Sequence, residues 1–177
     1  AETTQEATEQ AVAESVDETE EATEPTKAPT EAPSMTMGQK NALASAKSYL
    51  RFSAFSYHGL IGQLEFEGYT TEDATFAVDN CGADWNEQAL QSALSYLKYS
   101  AFSYTGLIDQ LEYEKFTTEQ ATYAADNCGA DWNEQAAKSA ESYLEFSAFS
   151  RDGLINQLVF EGFTRDQAVY GVEANGY

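Results

Sequence analysis

The side chains that could do chemistry in this chain are few, apart from its carboxylates. His58 is the only histidine, and the two cysteines, Cys81 and Cys128, lie 47 positions apart. A single histidine cannot serve a repeated Ser–His–Asp or Cys–His arrangement, and these three residues lack the ligand spacing of a zinc site. No D-x-[DN]-x-[DN]-G calcium loop and no glycine-rich phosphate loop occurs. The sequence therefore predicts no catalytic residue, metal or cofactor, and a hydrolase is only a remote alternative.

The net charge narrows the class of partner. The 177 residues hold 30 acids against nine Lys and Arg, a formal net charge of −21. Such a surface repels nucleic-acid phosphates and anionic lipid headgroups, so we expect neither of them as a partner. No stretch approaches the roughly 18 apolar residues that a membrane span needs. A protein partner that is basic, or that offers a basic helical segment, fits this charge better.

Three near-copies of one segment show how the chain is organised. Ser53-Ala54-Phe55-Ser56 returns as Ser100–Ser103 and as Ser147–Ser150, 47 residues further on each time. A fixed period indicates an array of small units, and apolar residues recur at helical spacing within each unit. We predict an all-α fold and expect a monomer. The predicted domains are three tandem helix-turn-helix-type three-helix repeats of about 47 residues, at 35–83, 84–130 and 131–177.

The first 34 residues have a different composition from the rest. They hold all three prolines, no aromatic residue, ten acids and one base, which accounts for −9 of the net charge. Because such a segment cannot bury enough apolar surface to offset its ordering entropy, we predict a disordered acidic linker. As a flexible coil it would span about 30–35 Å. The chain begins with Ala1 rather than Met, so we expect that a leader has been removed or left out.

Local signals place three helices in the first repeat. We predict the first from about Gln39 to Phe52, the second from Tyr57 to Glu67 with Ser56 as its cap, and the third from Thr70. Gly68 suits the left-handed position after the second helix. The predicted capping boxes are Thr70/Asp73, Thr117/Gln120 and Thr164/Gln167 within repeats, and Asp84/Glu87 and Asp131/Glu134 at the junctions.

The second repeat departs from this pattern at Lys115, which stands where the first has Gly68. A lysine held in the left-handed conformation costs roughly 1–2 kcal/mol. The turn of the second repeat is therefore either built differently or less stable than the others.

Most positions that recur between repeats have a structural interpretation. The phrase A-F-S-x-x-G-L-I-x-Q-L provides core residues and a helix cap, and we favour this over a ligand site. Its glutamines need hydrogen-bond partners, for which a bond between helices is favoured over a substrate contact. A tryptophan at each junction can pack across to the neighbouring repeat. The residues assigned to the fold are Phe55, Leu60, Ile61, Gln63, Leu64, Trp85, Phe102, Gln110, Trp132, Phe149 and Gln157.

The candidate binding residues are exposed acids of the first two repeats. They are Glu65, Glu72, Asp73, Asp79, Asp109, Glu112, Glu119 and Asp126. One interpretation is a solvated acidic face that serves solubility, and the other is a docking surface for a basic partner. The cysteines occupy equivalent positions of neighbouring units, a separation that disfavours a disulfide, so we expect buried free thiols.

The repeated motifs resemble a known family. S-Y-L-x-x-S-A-F-S-x-x-G-L-I-x-Q-L-x-x-E is followed by F/Y-T-x-x-Q/D-A and then by D-N-C-G-A-D-W-N-E-Q-A. Over roughly residues 39–177 this is similar to the Ltp-type host cell surface-exposed lipoproteins of Gram-positive bacteria and their temperate phages. The resemblance implies a lipid anchor on the outer face of the cytoplasmic membrane, attached to an N-terminal cysteine that does not occur among residues 1–34. We therefore expect the chain as it stands to be soluble.

That resemblance also implies a function. Family members block DNA injection by a superinfecting phage, with the phage tape measure protein as the implied target. Many relatives are chromosomal, so a cell-wall-zone adhesion or scaffolding protein with a host partner is the alternative. Lysogeny genes beside the gene would favour exclusion over scaffolding.

Overall fold

The computed structural model describes residues 34–177, and within that range it contains nine α-helices and no strand. The helices are α1 (Met37–Phe52), α2 (Tyr57–Phe66), α3 (Thr71–Asn80), α4 (Trp85–Tyr99), α5 (Tyr104–Tyr113), α6 (Thr118–Asn127), α7 (Trp132–Phe146), α8 (Arg151–Phe160) and α9 (Arg165–Ala174). The predicted all-α fold of tandem three-helix repeats is confirmed. The acidic linker was predicted to be disordered, and its residues 1–33 lie outside the described range.

Each repeat packs around its own small core. The first and third helices make the largest contact, and the second helix packs mainly on the third. Fully buried alanines on the first helix, such as Ala42 and Ala46, let the helices approach closely, while Leu60 and Leu64 fill the space between them. The other repeats have the same arrangement, with Leu107 and Leu111 or Leu154 and Leu158 in the corresponding positions.

The helix caps agree with the sequence only in part. Thr117/Gln120 and Thr164/Gln167 form the predicted capping boxes, and Thr36/Gln39 forms one that was not predicted. At Thr70 the hydroxyl accepts from the Asp73 amide, but the Asp73 side chain does not return the bond, since it is one methylene shorter than glutamate. Asp84 and Asp131 also cap their helices alone, because a second carboxylate would meet the charge of the first. The box predictions at these three sites were wrong.

The turn between the second and third helices is the same in all three repeats. Gly68 has φ +93°, Gly162 has φ +91° and Lys115 has φ +70°, so the lysine is held in the left-handed region. The sequence left two possibilities for the turn of the second repeat, a different backbone or a lower stability, and the left-handed Lys115 excludes the first. The second repeat carries the conformational cost of a left-handed lysine.

Across residues 34–177, none of the helices combines the length and the apolar character needed to cross a bilayer.

Candidate binding surface

Successive repeats are joined by a seam. We define it as the contact that the start of one repeat's second helix makes with the following repeat's first helix and with the turn between that repeat's second and third helices. At the first seam the Ser56 hydroxyl accepts the Gly59 amide (3.0 Å) and donates to the Glu114 carbonyl oxygen (2.5 Å). Both Ser56 and its counterpart Ser103 are 2% exposed. Ser103 donates in the same way to the Glu161 carbonyl oxygen at 2.5 Å. One serine therefore caps its own helix and also attaches the next repeat.

Two further contacts complete each seam. The Gln88 side-chain oxygen accepts the Phe55 amide at 3.2 Å, and the Trp85 ring meets Tyr57 edge-on with centroids 5.5 Å apart. At the second seam Gln135 accepts the Phe102 amide (3.4 Å), and Trp132 meets Tyr104 edge-on at 5.5 Å. Each tryptophan thus packs against the preceding repeat.

A glutamine, a tyrosine and a glutamate form a hydrogen-bonded chain in every repeat. In the second repeat the Gln110 amide donates to the Tyr96 hydroxyl (3.0 Å), which donates to Glu114, whose other oxygen accepts from Ser92 (2.7 Å). The hydrogen bond to Glu114 raises the pKa of Tyr96, and burial adds to the effect. The equivalent chains are Gln63–Tyr49–Glu67 and Gln157–Tyr143–Glu161. The glutamines therefore bond between the second and first helices.

The remaining residues assigned to the fold lie in or against the cores. Leu60 and Leu64 are fully buried, and Ile61 packs against the first core at intermediate exposure. The half-buried Phe55, Phe102 and Phe149 each meet the tyrosine of the first helix edge-on with centroids 5.5 Å apart.

An open cleft accompanies each seam. The first cleft, of about 520 Å³, lies between Leu50–Ala54 at the end of α1 and Gln91–Tyr96 of α4, with Glu114 at its edge. The second, of about 790 Å³, lies between Leu97–Ser103 and Lys138–Tyr143, with Glu161 in the same place. Both volumes fall in the range of roughly 300–1,000 Å³ that is usual for small-ligand sites.

Two positions of the repeat carry an aromatic residue in all three copies, and all six of these side chains point into solvent. The first-helix aromatics, Phe52, Tyr99 and Phe146, are 84%, 76% and 86% exposed at the ends of α1, α4 and α7. The second-helix aromatics, Phe66, Tyr113 and Phe160, are 88%, 84% and 87% exposed at the ends of α2, α5 and α8. Rings that are this exposed contribute little to the cores, so their recurrence points to contact with something outside the chain.

The acids proposed as binding residues divide into two groups. Asp79 and Asp126 accept hydrogen bonds from Tyr57 and Tyr104 (2.7 and 2.8 Å), and Glu65 and Glu112 accept from Thr71 and Thr118 (2.5 and 2.6 Å). Asp73 is half-buried, whereas Glu72, Asp109 and Glu119 are exposed. The Glu119 backbone amide and the Thr117 hydroxyl hold the pKa of the Glu119 carboxyl below its usual value. The set is therefore a mixture of internal acceptors and open carboxylates.

One pair of contacting positions, on the second and third helices, differs in both residues between the first two repeats and the third. Where the first two repeats join a tyrosine to an aspartate, the third joins Arg151 to Glu173 at 2.7 Å. The spacing of 22 residues is the same in all three repeats. Variation at these positions therefore preserves a link between the second and third helices.

His58 and the two thiols each contact residues of their own repeat. His58 is exposed and meets Tyr57 edge-on at 5.1 Å. The Cys81 and Cys128 thiols are free, as expected, but they are half-buried and donate to the Val78 and Ala125 carbonyl oxygens (3.1 and 3.2 Å). Over residues 34–177 no group of three or more His, Cys, Asp and Glu is placed to hold a metal ion.

Comparison with known proteins assigns the repeats to a family. Residues 38–81, 84–128 and 131–174 each match the family model described as host cell surface-exposed lipoprotein. The chain belongs to this family. The solved structure of Ltp, a superinfection exclusion protein from the Streptococcus thermophilus temperate phage TP-J34, is 34% identical to it, with a TM-score of 0.51. That similarity covers 53% of this chain and 98% of the Ltp chain. No curated protein matches the sequence.

The three family matches are separated at the junctions between repeats. They leave out residues 82–83 and 129–130, which link one repeat to the next. Gly82 (φ +77°) and Gly129 (φ +69°) lie in these links, each two residues before the aspartate that caps the next helix. The predicted boundaries after residues 83 and 130 stay predictions. The lipoprotein family's description names a surface location and no enzymatic activity.

The exposed aromatics were missed by the sequence reasoning. Most recurring positions were assigned to the fold, and these aromatics were not considered as a contact surface. A usable signal was present, because the positions of Phe52 and Phe66 are aromatic in every repeat of this lipoprotein. They also lie outside the stripes of Ala and Leu that form the core.

Proposed function

We propose that this lipoprotein is a superinfection exclusion protein that binds a protein of an incoming phage and prevents DNA entry. One observation carries the proposal: its 34% identity to Ltp extends over 98% of that exclusion protein. The tape measure protein, or another basic helical segment, is the partner we infer. We infer that the chain acts as a binding protein and not as an enzyme.

The second-helix aromatics and the acids beside them are the surface we assign to this partner. Phe66 stands between Glu65 and Glu67, and Tyr113 stands between Glu112 and Glu114. The open carboxylates of Glu72, Asp109 and Glu119 extend the acidic character. A basic amphipathic helix would place aliphatic side chains on the rings and its Lys and Arg near the carboxylates.

Attachment at the cell surface follows from the family description. We propose a lipid anchor ahead of the acidic linker, with the repeats held outside the cytoplasmic membrane. In this position an ejected phage protein would meet the repeats before it could open a path for DNA.

A phage challenge tests the proposal. The chain is displayed on a sensitive Gram-positive host behind a lipobox and cysteine, and adsorption and DNA entry are scored separately. We expect normal adsorption and blocked entry. Normal entry across a broad phage panel would refute exclusion and favour the scaffolding alternative.

Matched variants test the assigned surface. Phe66→Ser/Tyr113→Ser/Phe160→Ser should restore phage entry. Phe52→Ser/Tyr99→Ser/Phe146→Ser removes three equally exposed rings and should leave exclusion intact. If exclusion survives the first set of changes, the second-helix aromatics are not the binding surface. Binding of a purified tape measure segment should weaken as salt rises, and salt-insensitive binding would contradict the role of charge.

A further inference from the structure

The linings of the two seam clefts are less negatively charged than the rest of the surface. The charged residues that line the first cleft, Arg51 and Glu114, give it a net charge of zero. Those that line the second, Lys98, Lys138 and Glu161, give it a net charge of +1. Residues 35–177 together carry −12. Three of the eight Lys and Arg in this region therefore line the clefts. This balance disfavours a basic guest and favours a neutral or weakly anionic one.

Hydroxyl groups dominate the polar lining of both clefts. Ser53, Ser92, Ser95 and the Tyr96 hydroxyl line the first cleft. Ser100, Ser139, Ser142 and Tyr143 occupy the equivalent positions in the second. Ser92, Tyr96, Ser139 and Tyr143 already donate to Glu114 or Glu161. The exposed hydroxyls of Ser53, Ser95, Ser100 and Ser142 are the ones that can both donate to and accept from a guest rich in hydroxyl and amide groups.

Exposed rings stand at the rims. Phe52 lines the first cleft, and Tyr99 and Phe146 both line the second. The Lys98 ammonium lies 5.1 Å from the centre of the Tyr99 ring, so a cation is held next to this aromatic surface. An open ring offers a flat apolar surface onto which the C–H face of a sugar can stack.

We propose that the seam clefts bind a glycan chain that is neutral or weakly anionic, such as a strand of the bacterial cell wall. Sugar rings stack on the first-helix aromatics, the serine hydroxyls bond to the sugar hydroxyl and acetamido groups, and Lys98 and Lys138 face any carboxylate on the strand. Two equivalent clefts, one per seam, suit a ligand that is itself periodic. This site uses none of the second-helix aromatics, although Glu114 and Glu161, which stand beside two of them, also line the clefts.

The test measures glycan binding by the purified chain. Two probes are titrated by NMR: a neutral oligomer of N-acetylglucosamine, and soluble glycan strands with lactyl carboxylates released from cell wall by an amidase. We expect shifts confined to the cleft residues. Phe52→Ser/Tyr99→Ser/Phe146→Ser should weaken binding of both probes at least about tenfold. Phe66→Ser/Tyr113→Ser/Phe160→Ser is the matched control and should change affinity less than about twofold.

A charge variant separates recognition of the sugar from recognition of its carboxylate. Both lysines line the second cleft, so Lys98→Glu/Lys138→Glu should weaken binding of the anionic strands there and leave binding of the neutral oligomer unaffected. The proposal is overturned if neither probe binds, or if the two sets of ring changes weaken binding equally. It is also overturned if the first-helix changes abolish phage exclusion while glycan binding persists, since the clefts would then belong to the protein-binding surface. The phage challenge can fail without affecting these measurements, so the two proposals are tested separately.

Discussion

Replacement of the cap serines should reveal how much the seams contribute to stability. Ser56 caps α2 and also donates to the Glu114 carbonyl oxygen of the next repeat. Ser150 caps α8 through the Gly153 amide at 3.1 Å, is exposed, and has no seam contact. Ser56→Ala therefore removes a cap and a seam bond, whereas Ser150→Ala removes a cap alone.

The expected magnitudes follow from these contacts. Loss of a serine cap costs about 1 kcal/mol, and loss of a part-buried hydrogen bond costs about 1 kcal/mol more. Ser56→Ala should therefore lower the free energy of unfolding by about 2 kcal/mol, and Ser150→Ala by about 1 kcal/mol. Ser103→Ala should match Ser56→Ala, because Ser103 makes the same pair of bonds at the second seam.

Urea denaturation is the assay. Circular dichroism reports helix content, and Trp85 fluorescence in a Trp132→Phe background reports the first seam, where Trp85 packs on Tyr57. In a repeat array the free energy of unfolding is approximately a sum of repeat and interface terms. Equal losses for Ser56→Ala and Ser150→Ala would show that the interface term is negligible and would refute this account of the seam.

Substitutions at three other features of the structure have defined outcomes. Lys115→Gly removes a left-handed lysine that costs about 1–2 kcal/mol, but glycine adds about 0.4–1 kcal/mol of unfolded-state entropy, so the free energy of unfolding should rise by about 0.5–1 kcal/mol. Gly68→Lys, where a side chain meets nothing within 4 Å, should lower it by a similar amount in urea titrations. The hydrogen bond to Glu114 raises the pKa of Tyr96 above 10.0. This bond therefore contributes fully to the free energy of unfolding below pH 10.0, and its contribution declines at higher pH, because Tyr96 ionises first in the unfolded chain. Tyr96→Phe should therefore destabilise the chain at neutral pH yet reduce its loss of stability at alkaline pH, and an unchanged alkaline profile would contradict this. Glu173→Gln should cost less than about 1 kcal/mol in low salt and nothing measurable in high salt, because its pair with Arg151 is exposed.

The helices and most of their caps could be predicted because their signals are local. Ser56 precedes an apolar helical stripe, and Gly68 follows it at the position where the chain reverses. A capping box was harder to predict, since a carboxylate at the third helical position is not sufficient. Asp73 is too short to return the bond, and a Glu87 carboxylate that bonded back to the cap would meet the charge of Asp84.

The seams could not be derived from the sequence because their partners are far apart along the chain. Ser56 and Glu114 are 58 residues apart, and the Glu114 acceptor is a backbone carbonyl that carries no residue signature. The candidate site was predicted from charge alone. Asp79 therefore entered the set although it accepts an internal hydrogen bond, and Phe66 was omitted although it is 88% exposed.

The double use of the seam serine bears on how such arrays change in length over evolution. A duplicated internal stretch of 47 residues would bring its own cap serine for the unit after it and its own turn carbonyl for the unit before it. Both halves of a new junction would therefore arise in a single genetic event, without compensating substitutions elsewhere. Copy number can then drift by whole units while each junction keeps its geometry, and a gain or loss of part of a unit would leave a junction unmatched.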